Sequence, residues 1–552
     1  MSSNAYLNQA IVSHLIEMKA EEKPDQEILV FENGDSAPDI LTYRHLHENA
    51  NRIARLLIDS GISKGDTYAV FMRNHAEFVY SLLAGPVIGA IMVPIDPRSR
   101  GDRLRFLLNH ANVKAVIVSG ELLPQLEEVL PQAAGVRKVF VAWRKEQGLA
   151  VSSRYPALDE TLAKPAWERV KQQIMDVRHP MEIIYTSGTT GDPKGVTIRN
   201  NRFGMFNIVT KLVWKYKASD VLYSGLSLTH GNSQAVTLFP AIGAGIKAVF
   251  SARFTKSRIW DICRAYGCTS FSLLGGMMAG IFNEPPRSND ADNPVQTVLS
   301  AGTPAAIWEE FEKRFAVKIL EWYGSVEGGF AYKPPGVGPV GSFGKPIPGM
   351  MEFKVVDEDD RPVPPGAAGE LICRMTKGDT KVDYLDNKQA SEEKTRGGWL
   401  RTGDVVRRNA EGWYFFCHRK GKELRRAGDF IQPDHIERVL GTHPDVSEAC
   451  VYGIPAASGA PGESDLVAAV VAFDGVRIDP AALFEKCRRE LEPNFIPSYL
   501  QVVEEIPKTI SEKALDRLLR EQFSPSAANV FALSKSDPES GAGRYLTKGA
   551  IP

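Results

Sequence analysis

Eleven consecutive residues, Tyr185-Thr186-Ser187-Gly188-Thr189-Thr190-Gly191-Asp192-Pro193-Lys194-Gly195, hold three glycines, four serine or threonine hydroxyls and one lysine. Glycine lets a backbone turn tightly and point its N–H groups at an anion, hydroxyls add donors, and an ammonium adds charge. That chemistry suits the phosphates of a nucleotide. The preceding Glu182-Ile183-Ile184-Tyr185 reads as a short strand, which puts the loop at a strand end, where open α/β sheets bind ligands.

A P-loop is excluded by spacing, because that motif needs Ser or Thr after its lysine and here Gly195 follows Lys194. The whole string instead resembles the signature of the adenylate-forming superfamily: acyl-CoA synthetases, carrier-protein adenylation domains and beetle luciferases. The resemblance assigns Thr186, Ser187, Gly188, Thr189, Thr190, Gly191 and Lys194 to the β- and γ-phosphates of ATP.

Four further segments resemble the same family in order and spacing. In Glu321-Trp322-Tyr323-Gly324-Ser325-Val326-Glu327, the likeness implies that Tyr323, followed by Gly324, packs on adenine. It makes Glu327, with Thr186, a ligand of Mg²⁺, a hard cation suited to oxygen donors. Val326 stands where the family has Thr, so a hydroxyl is lost or Ser325 supplies it. Thr402-Gly403-Asp404 resembles the element whose carboxylate, Asp404, takes the ribose hydroxyls. The basic run from His418 to Arg426 resembles the family hinge, with Arg419 on ribose or phosphate, Gly428 and Pro433 in register, Gly421 in place of Asp or Lys, and His435 in place of Glu. Pro507 to Lys513 resembles the C-terminal lysine motif, with Glu512 replacing Gly and Lys513 as the catalytic lysine.

By the same register His230 gates the acid pocket, followed by Asn232, Ser233 and Gln234. Gly275-Gly276-Met277, Ser300-Ala301-Gly302 and Trp322 form its other walls. Trp322 stands where Gly is frequent, which shortens the pocket and favours a small or medium acid carrying a polar group. Ile496 to Leu500 resembles the carnitine/crotonobetaine-CoA ligases, and an aromatic acid is a rival substrate. The implied activity is ATP-dependent acyl-adenylate formation followed by thioester formation with coenzyme A. The alternatives are a stand-alone enzyme loading a carrier protein, a luciferase-like oxygenase, or a degenerate nucleotide-binding regulator.

Positioning these residues takes alternating helices and strands. Tyr43 to Ser60 has helical spacing, Tyr68 to Met72 and Val113 to Val118 read as buried strands, Arg103 to Asn109 as the helix between strands, and Ala248-Val249-Phe250 as another strand. Phe78 to Ile95 is uncharged, but Gly85-Pro86 divides it into a helix ending at Leu83 and a strand from Ala90 to Val93, so no membrane insertion is expected. Short β segments follow Glu352. The expected fold is α/β: a large N-terminal domain with a β-rich subdomain over 1–418, a hinge at 419–421, a small mobile α+β domain over 422–525, and a tail over 526–552.

The 552 residues exceed one ordinary core, and 66 Lys+Arg against 67 Asp+Glu give no electrostatic case for nucleic acid. Six cysteines without a CxxC pair fit a reduced cytoplasmic compartment. The N-terminus has no secretory pattern and the C-terminus no peroxisomal tripeptide. The partners implied are the acid, ATP and coenzyme A, and a homodimer is compatible with this reading.

Overall fold

The computed structural model describes residues 9–143, 154–165, 167–186, 193–420, 424–426, 429–431, 433–456, 464–491, 493–509 and 514–533. Ser187, Gly188, Thr189, Thr190, Gly191, Gly421, Gly428, Glu512 and Lys513 lie outside them.

Two α/β sheets form the large lobe. The first has six strands in the spatial order Lys138–Ala142, Val113–Ser119, Thr67–Phe71, Ile91–Ile95, Pro180–Tyr185 and Gly195–Arg199. All pair in parallel except the last, which returns antiparallel from the phosphate loop, with Tyr185 opposite Gly195. The loop therefore leaves and re-enters one hairpin at the sheet's ligand-binding end. Helices cover the faces, and the buried strands are near-continuous apolar runs, as parallel sheets require.

The second sheet has nine strands. Its parallel centre runs Lys318–Gly324, Thr297–Ala301, Ser270–Leu274, Val221–Ser224, Lys247–Ser251 and Glu27–Asn33. Asn74 ties the two sheets together: its amide donates to the carbonyls of Leu226 and Ser251, and its oxygen accepts from Leu228 N–H. The β-rich part is an antiparallel sheet of Met351–Val356, Ala368–Met375, Leu400–Arg408 and Tyr414–Arg419. The small lobe is a mixed sheet flanked by Pro433–Gly441, Pro480–Glu490 and Asp516–Gln522.

Tyr43–Asp59 forms the expected helix, opened by Thr42, whose hydroxyl accepts from His45 N–H while His45 Nδ1 accepts from Thr42 N–H. Two expectations need correction. The helix expected to stop at Leu83 runs from Ala76 to Ile88, through Gly85-Pro86, and ends at Gly89 with φ 74°. Pro86 falls in the last turn, so it removes one hydrogen bond, that to the Leu82 carbonyl, and leaves the turns before it intact. Gly85 serves packing rather than breakage, since a Cβ there would lie 2.7 Å from the Tyr68 hydroxyl. The segment expected to be a tail includes Val530–Ala532, which pairs antiparallel with Tyr499–Val502 as an edge strand of the small-lobe sheet. No described helix is long and apolar enough to cross a membrane.

Candidate active site

A cleft of about 1820 Å³ opens where the two α/β sheets, the β-rich sheet and the small lobe meet. Thr186, Lys194, His230, Ala301, Trp322, Gly324, Glu327 and Arg419 line it, with Thr509 from the small lobe. Thr186 and Thr509, 323 positions apart in the chain, are thus gathered on one cleft. Tyr323, Asp404, Ser300 and Gly302 stand just behind this lining.

At the phosphate-loop exit, Thr186 N–H donates to the Lys194 carbonyl at 3.0 Å, closing the base of the loop. Thr186 Oγ1 donates to the same carbonyl at 3.4 Å, which leaves its lone pairs to accept or ligate. Segment 383–385 lies beside the return strand: Thr197 N–H donates to the Asp383 carbonyl, Leu385 N–H to the Gly195 carbonyl, and Arg199 pairs with Asp383. This pairing delivers Tyr384, a residue the motif reading missed. Its hydroxyl donates to Glu327 Oε1 at 3.1 Å, and Lys194 Nζ sits 5.2 Å from its ring centroid. Burial and the Glu327 charge hold the Tyr384 phenol protonated, as donation requires.

Glu327 makes no ion pair among the described residues, so its second oxygen is available to a cation. One carboxylate, a threonine hydroxyl and substrate phosphates form the donor set Mg²⁺ prefers, which needs no all-protein cage. Accordingly, no cluster of three metal-ligating side chains occurs among the described residues. The Ser325 Oγ, the alternative to the missing threonine hydroxyl, donates to the Gly328 carbonyl within its own turn. Val326 instead packs toward Gly231, beside the pocket gate.

The nucleoside end is built on paired strands. Asp404 and Arg419 are opposite each other in the β-rich sheet, with Arg419 Nε 3.8 Å from Asp404 Oδ1. Tyr323 Oη donates to Asp404 Oδ2 at 2.5 Å, and its ring packs on Phe343 at 4.6 Å. The Ser300-Ala301-Gly302 loop is stapled from below by Glu321, whose carboxylate accepts from Gly302 N–H (2.7 Å) and Thr303 N–H (3.2 Å). Burial raises that carboxyl to about 7 despite those donors. Gly275 presses against the Gly302 carbonyl so closely that any side chain there would displace the loop.

At the acid end, burial lowers the His230 imidazole to about 4, so it is neutral at physiological pH. Its Nδ1 accepts from Asn232 N–H at 3.2 Å, which places the proton on Nε2. Gln234 donates to Glu182 at 3.1 Å and to the Leu228 carbonyl. Burial raises the Glu182 carboxyl to about 7, and the Arg202 guanidinium partly opposes it. Arg202 donates to the Val326 carbonyl at 2.6 Å and lines the cleft with Lys394, whose ammonium is lowered by burial. Glu182, a charged residue inside the otherwise apolar strand Pro180–Tyr185, was the one sequence sign of this network. Trp214, Trp322 and Phe330 close the pocket with ring centroids 5.5–5.9 Å apart.

Residues 16–377 match the AMP-binding enzyme family, and 435–513 match the AMP-binding enzyme C-terminal domain. The chain is 28% identical over 545 residues to long-chain fatty acid transport protein 2 of Rattus norvegicus, covering 93% of this chain and 86% of the relative. It is 25% identical over 510 residues to crotonobetaine/carnitine–CoA ligase of Salmonella heidelberg (strain SL476), covering 90% and 96%. In fold it resembles the anthranilate CoA ligase AuaEII in complex with anthranoyl-AMP, with TM-score 0.80 and 22% identity over 93% of this chain and 97% of that one. A benzoate CoA ligase from Burkholderia xenovorans LB400 gives TM-score 0.78 at 23% identity, over 92% and 99%. With most of its length matched and Thr186, Lys194, Glu327 and Arg419 lining one cleft, the chain belongs to the AMP-binding enzymes, the adenylate-forming family of the AMP-forming acyl-CoA ligases, which use ATP, Mg²⁺ and coenzyme A.

Proposed function

We propose that the protein is a cytosolic acid–thiol ligase that activates a small or medium carboxylic acid as its adenylate and transfers the acyl group to coenzyme A. The observation that carries this reading is the single cleft joining Thr186, Lys194, Glu327 and Arg419 to a pocket closed by Trp322. All six cysteines are free thiols and all but Cys417 are buried, which suits a reduced compartment.

In the first half-reaction the substrate carboxylate oxygen bonds to the α-phosphorus of ATP and the bond to pyrophosphate breaks. Two anions must meet, so oriented donors and positive charge do most of the work. Lys194 and Thr186 face the leaving phosphates, Arg419 and Asp404 hold the ribose end, and Lys513 bridges the carboxylate and α-phosphate. Magnesium bound at Glu327 and Thr186 supplies charge neutralisation on the phosphates. Neutral His230 walls the acid without adding a charge that would compete with those contacts. In the second half-reaction the thiol attacks the acyl carbon and AMP leaves, after the small lobe has turned Lys513 away.

The long-chain name of the rat relative is not carried over, because Trp214, Trp322 and Phe330, in mutual ring contact, line the cleft and on this reading shorten its acid end. Trp322→Ala is expected to raise kcat/KM for decanoate relative to butyrate about ten-fold, since each accommodated methylene contributes discrimination. Wild-type activity on long-chain acids with none on short ones refutes the shortened pocket. The test of the whole reading is AMP and pyrophosphate release over a panel of acids with and without coenzyme A. Release that rises with coenzyme A for one acid class supports it. Release indifferent to coenzyme A moves the acceptor to a carrier protein, and silence throughout favours a nucleotide-binding regulator.

A further inference from the structure

The polar side chains at the gate of the acid pocket are unequally satisfied. Ser233 shares a hydrogen bond with Ser224 at 3.4 Å, and Gln234 is held by Glu182 and the Leu228 carbonyl. Asn232 between them and His230 is different. The residue is 4% exposed and lines the cleft, yet neither Oδ1 nor Nδ2 of its buried carboxamide has a partner.

Asn232 caps the helical turn Ser233–Leu238, so Val236, four residues on, lies on the same face. Val236 packs in one cluster with Trp214 and Trp322. Both indoles line the cleft, and the Nε1–H of each is buried without an acceptor. Three residues of the cleft lining therefore carry two indole donors and a carboxamide able to donate and accept, all buried and unpaired. Buried polar groups left without partners are costly and rare in folded proteins. Gathered beside a ligand pocket, they mark the positions where the ligand supplies the partner.

We propose that the acyl group carries an oxygen substituent (hydroxyl, oxo or carboxamide) beyond its carboxylate, recognised by Asn232 and the indole N–H groups of Trp214 and Trp322. This rests on reading the cleft as the site of an acyl-CoA ligase. The indole N–H groups only donate, so they call for an oxygen acceptor on the substituent. A plain alkyl or aryl acid leaves all three groups unpaired.

The test compares isosteric pairs in the coenzyme A-dependent release of AMP: 3-hydroxybutyrate against 3-methylbutyrate, and 4-hydroxybenzoate against 4-methylbenzoate. Within the pair of suitable length, kcat/KM is expected to favour the oxygen acid at least about ten-fold, because a site built to bind a hydroxyl discriminates against its absence. Asn232→Leu is expected to lower that ratio about ten-fold, and Asn232→Ser, a smaller polar change, to lower it less. Turnover of both pairs with equal preference, or a preference untouched by either variant, overturns the proposal while leaving the ligase reading intact. Failure of every acid to release AMP with coenzyme A takes down both.

Discussion

Lys513→Ala is expected to slow acyl-adenylate formation about 10²–10³-fold, the scale of one preorganised electrostatic contact to a developing charge. Thioester formation from supplied acyl-AMP is expected to survive. The asymmetry follows from the chemistry: only the first half-reaction brings a carboxylate against a phosphate, and only there is a bridging ammonium needed. Although Lys513 itself lies outside the described residues, its neighbours make the assignment physically sensible. Thr509 lines the cleft, and four peptide units separate it from Lys513, a reach of at most about 14 Å. Lys508 bridges Ala514, and Leu515 N–H donates to the Pro507 carbonyl at 2.7 Å, so the described residues on either side of Lys513 are held together. Pyrophosphate exchange and single-turnover thioesterification, measured separately on this variant, decide the matter. Equal loss in both half-reactions refutes the role.

What the sequence made legible depended on how locally each feature is encoded. The phosphate loop, the Thr-Gly-Asp turn and the Tyr323–Glu327 segment are contiguous strings, and each can be read without knowing the topology. The Tyr43–Asp59 helix is likewise written in its own spacing. The Glu327–Tyr384–Lys194 arrangement is not, because Tyr384 reaches the site only when segment 383–385 joins the strand Gly195–Arg199. Nothing within Val382-Asp383-Tyr384-Leu385 distinguishes it from an ordinary exposed turn. Arg202 and Lys394 were missed for the same reason, since their value lies in which carboxylates the fold brings near. Gly85-Pro86 was misread in the opposite sense: local breaker chemistry was real, but packing against Tyr68 and the proximity of the helix end overrode it.

That non-local contact carries the second large effect. Glu327→Gln is expected to lower adenylation about 10²-fold, because an amide is a poor substitute for a carboxylate toward a hard cation. Tyr384→Phe deletes only the hydroxyl that donates to Glu327 Oε1, and groups that orient a metal ligand typically contribute 10–100-fold in affinity or activity. Its signature is specific: the Mg²⁺ concentration for half-maximal adenylation rises about ten-fold, and activity returns at saturating Mg²⁺. Calorimetric titration of Mg·ATP gives the same shift without turnover. Tyr384→Leu also removes the ring under Lys194, so it is expected to weaken Mg·ATP binding several-fold beyond the Phe variant. If Tyr384 merely filled space, Phe would restore wild-type Mg²⁺ dependence while Leu lowered stability alone. A Phe variant with unchanged Mg²⁺ dependence therefore removes the orienting role, and the Leu–Phe difference isolates what the aromatic face contributes to holding Lys194 at the phosphate loop.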